Sequence, residues 1–164
     1  MRVKPGSIIR AFLAGLLTGS FFLILIPALL IKLNLYLNLP ILDFVVLNIL
    51  GLLLIFAGIL MFFYCSSLFF YFGFGTPAPI EPPKKLVVKG IYRHTRNPMY
   101  LGYFCVVLGQ SLFFGHLLLF FYILLVFLII NYYLKYIEEP KLLKRFGDDY
   151  REYIKKTPRW FSFL

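Results

Sequence analysis

Arg93, His94 and Arg96 fall within four positions of the stretch GIYRHTRNPMYLG, residues 90 to 102, and an uncharged apolar run follows directly. Asn97 and Pro98 form an N-cap and first-turn pair, so a helix starts there. The N-terminus of a helix is electropositive and directs its free N–H groups outward. Arginines added at that point make a receptor for an anion, either a lipid phosphate or the carboxylate or phosphate of a small molecule. A second polar set, Asn131, Lys135, Glu138 and Glu139, recurs at i, i+4, i+7 and i+8, which is one face of a helix. Glu138, Glu139 and His94 are the candidate bases of the two sets, and Arg96 completes the candidates for catalytic work. Tyr92, Tyr100, Tyr132, Tyr133 and Tyr136 accompany them. Such a crowd suits a flat or cationic ligand, and suits an interfacial aromatic belt equally. Pairing of Arg93 or Arg96 with Glu138 or Glu139 is the structural alternative to a ligand.

These residues have to be held by elements suited to a membrane. The 164-residue chain is 61% hydrophobic and only 15% charged, and its mean hydropathy is +0.85. That composition lies outside the soluble range and marks an integral membrane protein. Spanning a hydrocarbon layer of about 30 Å takes about 20 apolar residues in a helix. Four uncharged runs are candidates. The first is Ala11 to Ile31, with Pro27 expected to kink or end its far part. The second is Phe44 to Phe72, which is long enough to tilt or to project beyond the bilayer. Met99 to Leu134 holds only His116 as an ionisable group, and as one helix it would reach about 54 Å at about 1.5 Å per residue. Gly115 and His116 therefore read as the turn of a hairpin between Met99–Phe114 and Leu117–Leu134, two short spans expected to pack as a pair.

Orientation follows from the cations. Of the 17 Lys and Arg residues, Lys32 alone falls on the side opposite the other 16. The positive-inside rule then puts both termini and the 73–98 loop in the cytoplasm. The same distribution accounts for the +10 net charge through anionic lipid, with no nucleic-acid partner. Cys65 and Cys105 lie within spans and lack metal-ligand spacing, so they are packing residues and no metal is expected. No cleavable signal pattern is present, and the first span should stay as an anchor. Pro77, Pro79, Pro82 and Pro83 keep the loop extended. In the tail, Leu142, Leu143 and Phe146 form an apolar stripe, Gly147 fits a C-cap, and Asp148 could cap a second short helix with Tyr150 and Tyr153. Trp160, Phe161 and Phe163 look like interfacial anchors. The expected architecture is all-α: four transmembrane helices, residues 1–72 supplying the first two, and residues 73–164 forming a cofactor-binding region of loop, hairpin and cytoplasmic tail within one integrated domain.

The blocks PPKKLVVKGIYRHTRNPMYLG and EEPKLLKRFGDDYREYIKKTPRW together resemble the isoprenylcysteine carboxyl methyltransferase family and its phospholipid methyltransferase relatives, especially the short bacterial and archaeal members. The likeness covers about residues 73–160, with both blocks in the family's order and separation. It implies a membrane-embedded, S-adenosylmethionine-dependent methyltransferase of a prokaryotic cell membrane, acting on a lipid or another lipophilic acceptor. Carried over by position, it puts cofactor contacts at Lys84, Lys85, Leu86 and Val87, then Tyr92, then Asn97, Pro98, Met99 and Tyr100, with the acidic contact at Glu138. Asn97 stands where the eukaryotic enzymes have His. Substrate contacts fall at Asn131, Leu134 and Lys135. Leu134 stands where the eukaryotic enzymes have an Arg near the substrate carboxylate, which puts prenylcysteine in doubt; Lys135 or Arg96 could substitute.

The chemistry of the residues fits that implication. S-adenosylmethionine carries a carboxylate, an ammonium, a sulfonium, a ribose diol and an adenine, so its site needs donors, acidic acceptors and aromatic surface together. No strand pattern with GxGxxG exists, which excludes a soluble Rossmann-type site. Methyl transfer is an in-line displacement that chiefly needs alignment. A carboxylate acceptor would need no base, whereas an amine would have to lose a proton. Two other readings are a non-catalytic membrane scaffold and a nicotinamide-dependent membrane reductase, against which the short chain argues.

Overall fold

The computed structural model describes residues 5–74 and 83–160. Pro77, Pro79, Pro82, Phe161 and Phe163, for which an extended loop and membrane anchors are expected, lie outside the described residues.

A first rod consists of α1 (Pro5–Ser20), a π turn at Phe21–Leu25 and α2 (Ile26–Tyr36). The sequence predicts that Pro27 kinks or ends this rod; the helix does not end there, and a π turn lies directly before it. Pro27 has no N–H for the carbonyl of Leu23 four residues back, nor for that of Phe22 five back. Side chains from the hairpin supply the missing donors: Gln110 Nε2 reaches Leu23 O at 2.7 Å, and the Tyr122 hydroxyl reaches Phe22 O at 2.8 Å.

The second rod is α3 (Val45–Leu68) with a π turn at Phe69–Gly73, and α4 (Pro98–Phe114) returns along it. Gly51 and Gly58 face Gly109 and Gly102: a Cβ built on Gly51 would lie 2.6 Å from Gly109 O, and one on Gly109 2.6 Å from Gly51 O. Backbone touches backbone there, a close approach that only glycine permits and that packs helices without a hydrophobic driving force in lipid. The tightest partner of α4 is thus α3. The expected pairing of α4 with α5 (Leu117–Tyr133) is looser, built on Val107, Tyr122 and Val126.

The hairpin turn lies where the sequence puts it. Gly115 adopts φ +66° and His116 precedes α5. The α2–α3 connection closes over this end: Leu42 N–H donates to Gly115 O at 2.9 Å, and buried Asn34 accepts from Leu118 N–H at 3.1 Å, capping α5 from another helix. Beyond Tyr133 the chain does not break, as the expected end of the span at Leu134 requires. A π turn at Leu134–Glu138 leads straight into α6 (Glu139–Phe146), and Gly147 at φ +56° turns the chain into α7 (Asp148–Lys156). Asp148 sits inside α7 and pairs with Arg151 at 2.9 Å rather than capping.

Among the described residues the fold is helical, with one isolated bridge between Ile41 and His116. Three helices, Leu13–Tyr36, Val45–Gly73 and Leu117–Phe146, are long and apolar enough to cross a membrane, and α4 is a shorter apolar helix of 17 residues. The chain is an integral membrane protein.

Candidate functional site

The two polar stretches meet at the end of the bundle opposite the hairpin turn. Residues 84–89 form an extended strap whose start is pinned to the end of α3, Lys84 N–H donating to Gly73 O at 2.7 Å. Gly90, at φ +55° against the Tyr64 ring, bends the strap into a single 3-10 turn at Gly90–Arg93. Tyr92 is buried there with Cys65, Leu68 and Val87, and Met99 packs on the cluster. This anchors the residues that follow, Thr95 to Tyr100, over the mouth of α4.

A segment from the C-terminal tail then closes over them. Residues Thr157 to Arg159 run back from α7 along the 93–97 turn. Pro158 O accepts from Arg96 N–H at 3.0 Å. Arg159 O accepts from Thr95 Oγ1 at 3.0 Å and from Asn97 Nδ2 at 3.1 Å. The Tyr153 hydroxyl donates to the carbonyl of Tyr92. Burial pushes the Tyr153 and Tyr92 hydroxyls well above the ordinary phenol range, so both stay protonated and Tyr153 stays a donor. Asn97 occupies the cap position but makes no side-chain cap; its amide holds the tail segment instead. Trp160, expected as an interfacial anchor, packs on Phe104 and Phe127 and donates through its indole N–H to Asn131 Oδ1 at 3.0 Å.

The two adjacent glutamates have different company. Glu139 is gripped by Arg159, whose Nε and Nη2 donate to the two carboxylate oxygens at 2.8 Å each. That charge-assisted bond raises the Arg159 pKa. Arg96 Nη1 lies 3.0 Å from Glu139 Oε1, and the Arg96 side chain is 9% exposed. Even so, its buried Nε and Nη1 have no hydrogen-bond acceptor among the described residues. The Tyr150 hydroxyl stands against the same guanidinium, which lowers the phenol pKa partway against the larger upward effect of burial. Glu138 faces the other way and accepts from the Tyr100 hydroxyl at 2.7 Å. Arg96 is therefore the structural partner of Glu139, while Arg93 makes no such pair.

The remaining sequence candidates divide. Val87, Tyr92, Asn97 and Pro98 are buried, and Leu86, Met99 and Tyr100 are half-buried beside them. Lys84, Lys85, Arg93 and His94 are exposed, with Lys85 Nζ 5.3 Å from the centre of the Phe74 ring. Of the single face expected for Asn131, Lys135, Glu138 and Glu139, Lys135 drops out. Lys135 is exposed, its ammonium over the Tyr136 ring, while Asn131, Glu138 and Glu139 are half-buried. Fully buried Leu134 takes the inner position. Tyr132, Tyr133 and Tyr136 are exposed as well, apart from Tyr92 and Tyr100. Arg159 and Thr95 were missed in the sequence, and Trp160 was read only as an anchor, although TPRW closes the second resembling block and its Arg is the one cation after α7. Among the described residues, no group of three or more His, Cys, Asp or Glu gathers in a way that could hold a metal.

Beside Trp160, an apolar groove of about 400 Å³ opens between α4 and α5, lined by Phe104, Ile123, Leu124 and Phe127. The arrangement thus joins a buried arginine whose Nε lacks an acceptor among the described residues, a carboxylate held by a phenol, and an apolar groove.

The chain is 38% identical over 75 residues to a protein-S-isoprenylcysteine O-methyltransferase of Schizosaccharomyces pombe, covering 44% of this chain and 31% of that protein. It is 36% identical over 62 residues to an uncharacterized protein of Haemophilus influenzae, covering 38% of this chain and 98% of that protein. The chain thus spans about a third of the length of the yeast relative. No solved structure matches it. The model of the phospholipid methyltransferase family matches residues 46–149, from the start of α3 to the start of α7, and the chain belongs to that family.

Proposed function

We propose that the protein is an S-adenosylmethionine-dependent methyltransferase acting on a lipophilic acceptor. The observation that carries this reading is Arg96, a nine-tenths-buried guanidinium at the mouth of α4 whose Nε has no hydrogen-bond acceptor among the described residues and whose Nη1 is held only by an ion pair to Glu139. Buried donors of this kind are costly unless an acceptor meets them, and a carboxylate matches a guanidinium best. The cofactor's functional groups fit the residues around it: the carboxylate at Arg96, an ammonium or ribose hydroxyl at Glu138, and apolar surface at Val87, Met99 and Leu86. When bound, S-adenosylmethionine supplies an electrophilic methyl group. The chain's part is to hold that group in line with an acceptor.

Lys84 and Lys85, exposed at the strap, are peripheral in this reading, and His94 is too far out in solvent to serve as its base. Tyr100 fixes the Glu138 carboxylate, which orients it toward a cation or hydroxyl. The acceptor's hydrocarbon part lies along the Phe104, Ile123, Leu124 and Phe127 groove. Leu134 and Lys135 give no inward cation for an acceptor carboxylate. The reading also takes four crossings, α4 being the short one, with the site on the cytoplasmic face.

Calorimetry on the purified protein tests it. S-adenosylmethionine and S-adenosylhomocysteine should both bind and raise the unfolding temperature at saturation. Transfer of a labelled methyl group into a membrane lipid extract should follow. NADPH binding with indifference to both adenosyl compounds would favour the reductase, and no binding of any of the three the scaffold.

A further inference from the structure

We infer that Arg159 is a positioning residue that keeps the Arg96 guanidinium available to an anionic ligand, an inference that rests on the cofactor reading above. Two arginines share the Glu139 carboxylate, and they do so unequally. Arg159 takes both oxygens in a forked pair, at 2.8 Å through Nε and 2.8 Å through Nη2. A carboxylate occupied in this way has no fork left to offer. Arg96 is left with an ion pair from Nη1 to one oxygen at 3.0 Å that is not a hydrogen bond, and its buried Nε has no hydrogen-bond acceptor among the described residues. Without Arg159, the nearest unsaturated acceptor for Arg96 would be Glu139 itself. Arg96 would close on it as a fork, and its donors would be consumed inside the protein.

The tail backbone makes this arrangement stiff. The carbonyl of Arg159 is held by Thr95 and Asn97, and that of Pro158 by the backbone N–H of Arg96, so both arginines are fixed to one another through the main chain. The next residue, Trp160, is the chain's single tryptophan and is packed on Phe104 and Phe127. Its emission therefore reports whether the tail is docked, independently of any ligand.

The test compares S-adenosylhomocysteine affinity in the wild type, Arg159→Gln, Arg159→Lys and the double variant Glu139→Gln/Arg159→Gln. Arg159→Gln should weaken binding by about tenfold or more, as expected for diverting one charge-assisted contact. Arg159→Lys, which occupies one oxygen, should fall between. The double variant should bind better than Arg159→Gln alone, because Arg96 then has no carboxylate to close on. Unchanged affinity in Arg159→Gln overturns the inference. So does a loss that the double variant fails to restore while Trp160 emission shows the tail undocked, since Arg159 would then serve only to hold the tail. A ligand-free measurement separates this failure from that of the cofactor reading. In arginine-labelled protein, the NMR signal of the Arg96 Nε–H should shift in Arg159→Gln as it gains an acceptor. If it does not, the inference falls even where the wild type binds cofactor. If the wild type binds neither adenosyl compound, the cofactor reading falls instead.

Discussion

At the scale of single residues, Glu138 and Glu139 are neighbours with opposite tasks, and substitution separates them. Glu139 neutralises Arg96 and Arg159 in a mostly buried cluster, so Glu139→Gln strands two cations. Breaking such a cluster should lower unfolding free energy by about 3 kcal/mol, seen in chemical denaturation in detergent. Glu138→Gln keeps the Tyr100 contact and the side-chain volume, and should leave stability nearly unchanged. Its cost should appear in S-adenosylhomocysteine binding, about 1 to 3 kcal/mol by calorimetry, the range for a lost charge-assisted hydrogen bond. Equal loss of stability in both, with no binding defect in Glu138→Gln, would return Glu138 to a structural role. The residues of the α4 mouth were legible in the sequence because a run such as RHTRNP before an apolar helix is abnormal in lipid. Which arginine pairs with which glutamate was not legible. That depends on contacts such as Arg159 with Glu139, 20 residues apart, across the turn from α6 into α7 and back.

At the scale of elements, the α3–α4 seam is the feature most sensitive to volume. Gly51→Ala would drive a methyl group to 2.6 Å from the Gly109 carbonyl and from the Phe113 nitrogen, both backbone atoms that cannot rotate away. A loss of about 1 to 3 kcal/mol is expected from such overpacking. Gly19→Ala, where a Cβ meets nothing within 4 Å, is the control and should be neutral or slightly stabilising. Helicity monitored on heating should order the two variants in that way. The seven-residue spacing of Gly51 with Gly58, and of Gly102 with Gly109, was a readable signal of this seam. The hydrophobic runs themselves said nothing of partners, since in lipid every face of these helices is apolar. The Pro27 segment is a similar case. Gln110→Leu should remove the donor on the Leu23 carbonyl and cost about 1 kcal/mol, typical of an interhelical hydrogen bond in a membrane. Proline in the sequence foretold a kink or an end, and the continuation of the helix was not legible because the donors Gln110 and Tyr122 come from positions more than 80 residues away. The π turn at Leu134–Glu138 likewise had no sequence mark.

At the scale of the whole molecule, the long apolar stretches and the hairpin turn were legible because a bilayer requires unbroken apolar length and a turn requires Gly115. How the rods sit across the membrane rests on charge. The closed end, where Leu42 meets Gly115 and Asn34 caps α5, has Lys32 nearby as its cation. Lys84, Lys85, Lys89, Arg93 and the α6–α7 cations all collect at the other end with the candidate site. Sixteen basic residues to one should hold the site end in the cytoplasm. The prediction is read with an impermeant maleimide on intact cells. Cys65 is buried and Cys105 half-buried, so both are first replaced by Ala to give a silent background. Pro40→Cys, exposed in the α2–α3 connection, should then label from outside, whereas Lys84→Cys should label only after the membrane is opened. The reverse pattern would put the Arg96 site on the face away from cytoplasmic S-adenosylmethionine, and the proposed activity would lose its methyl donor. Labelling of both positions from outside would instead mean that α3 does not cross, despite the 29-residue apolar helix Val45–Gly73.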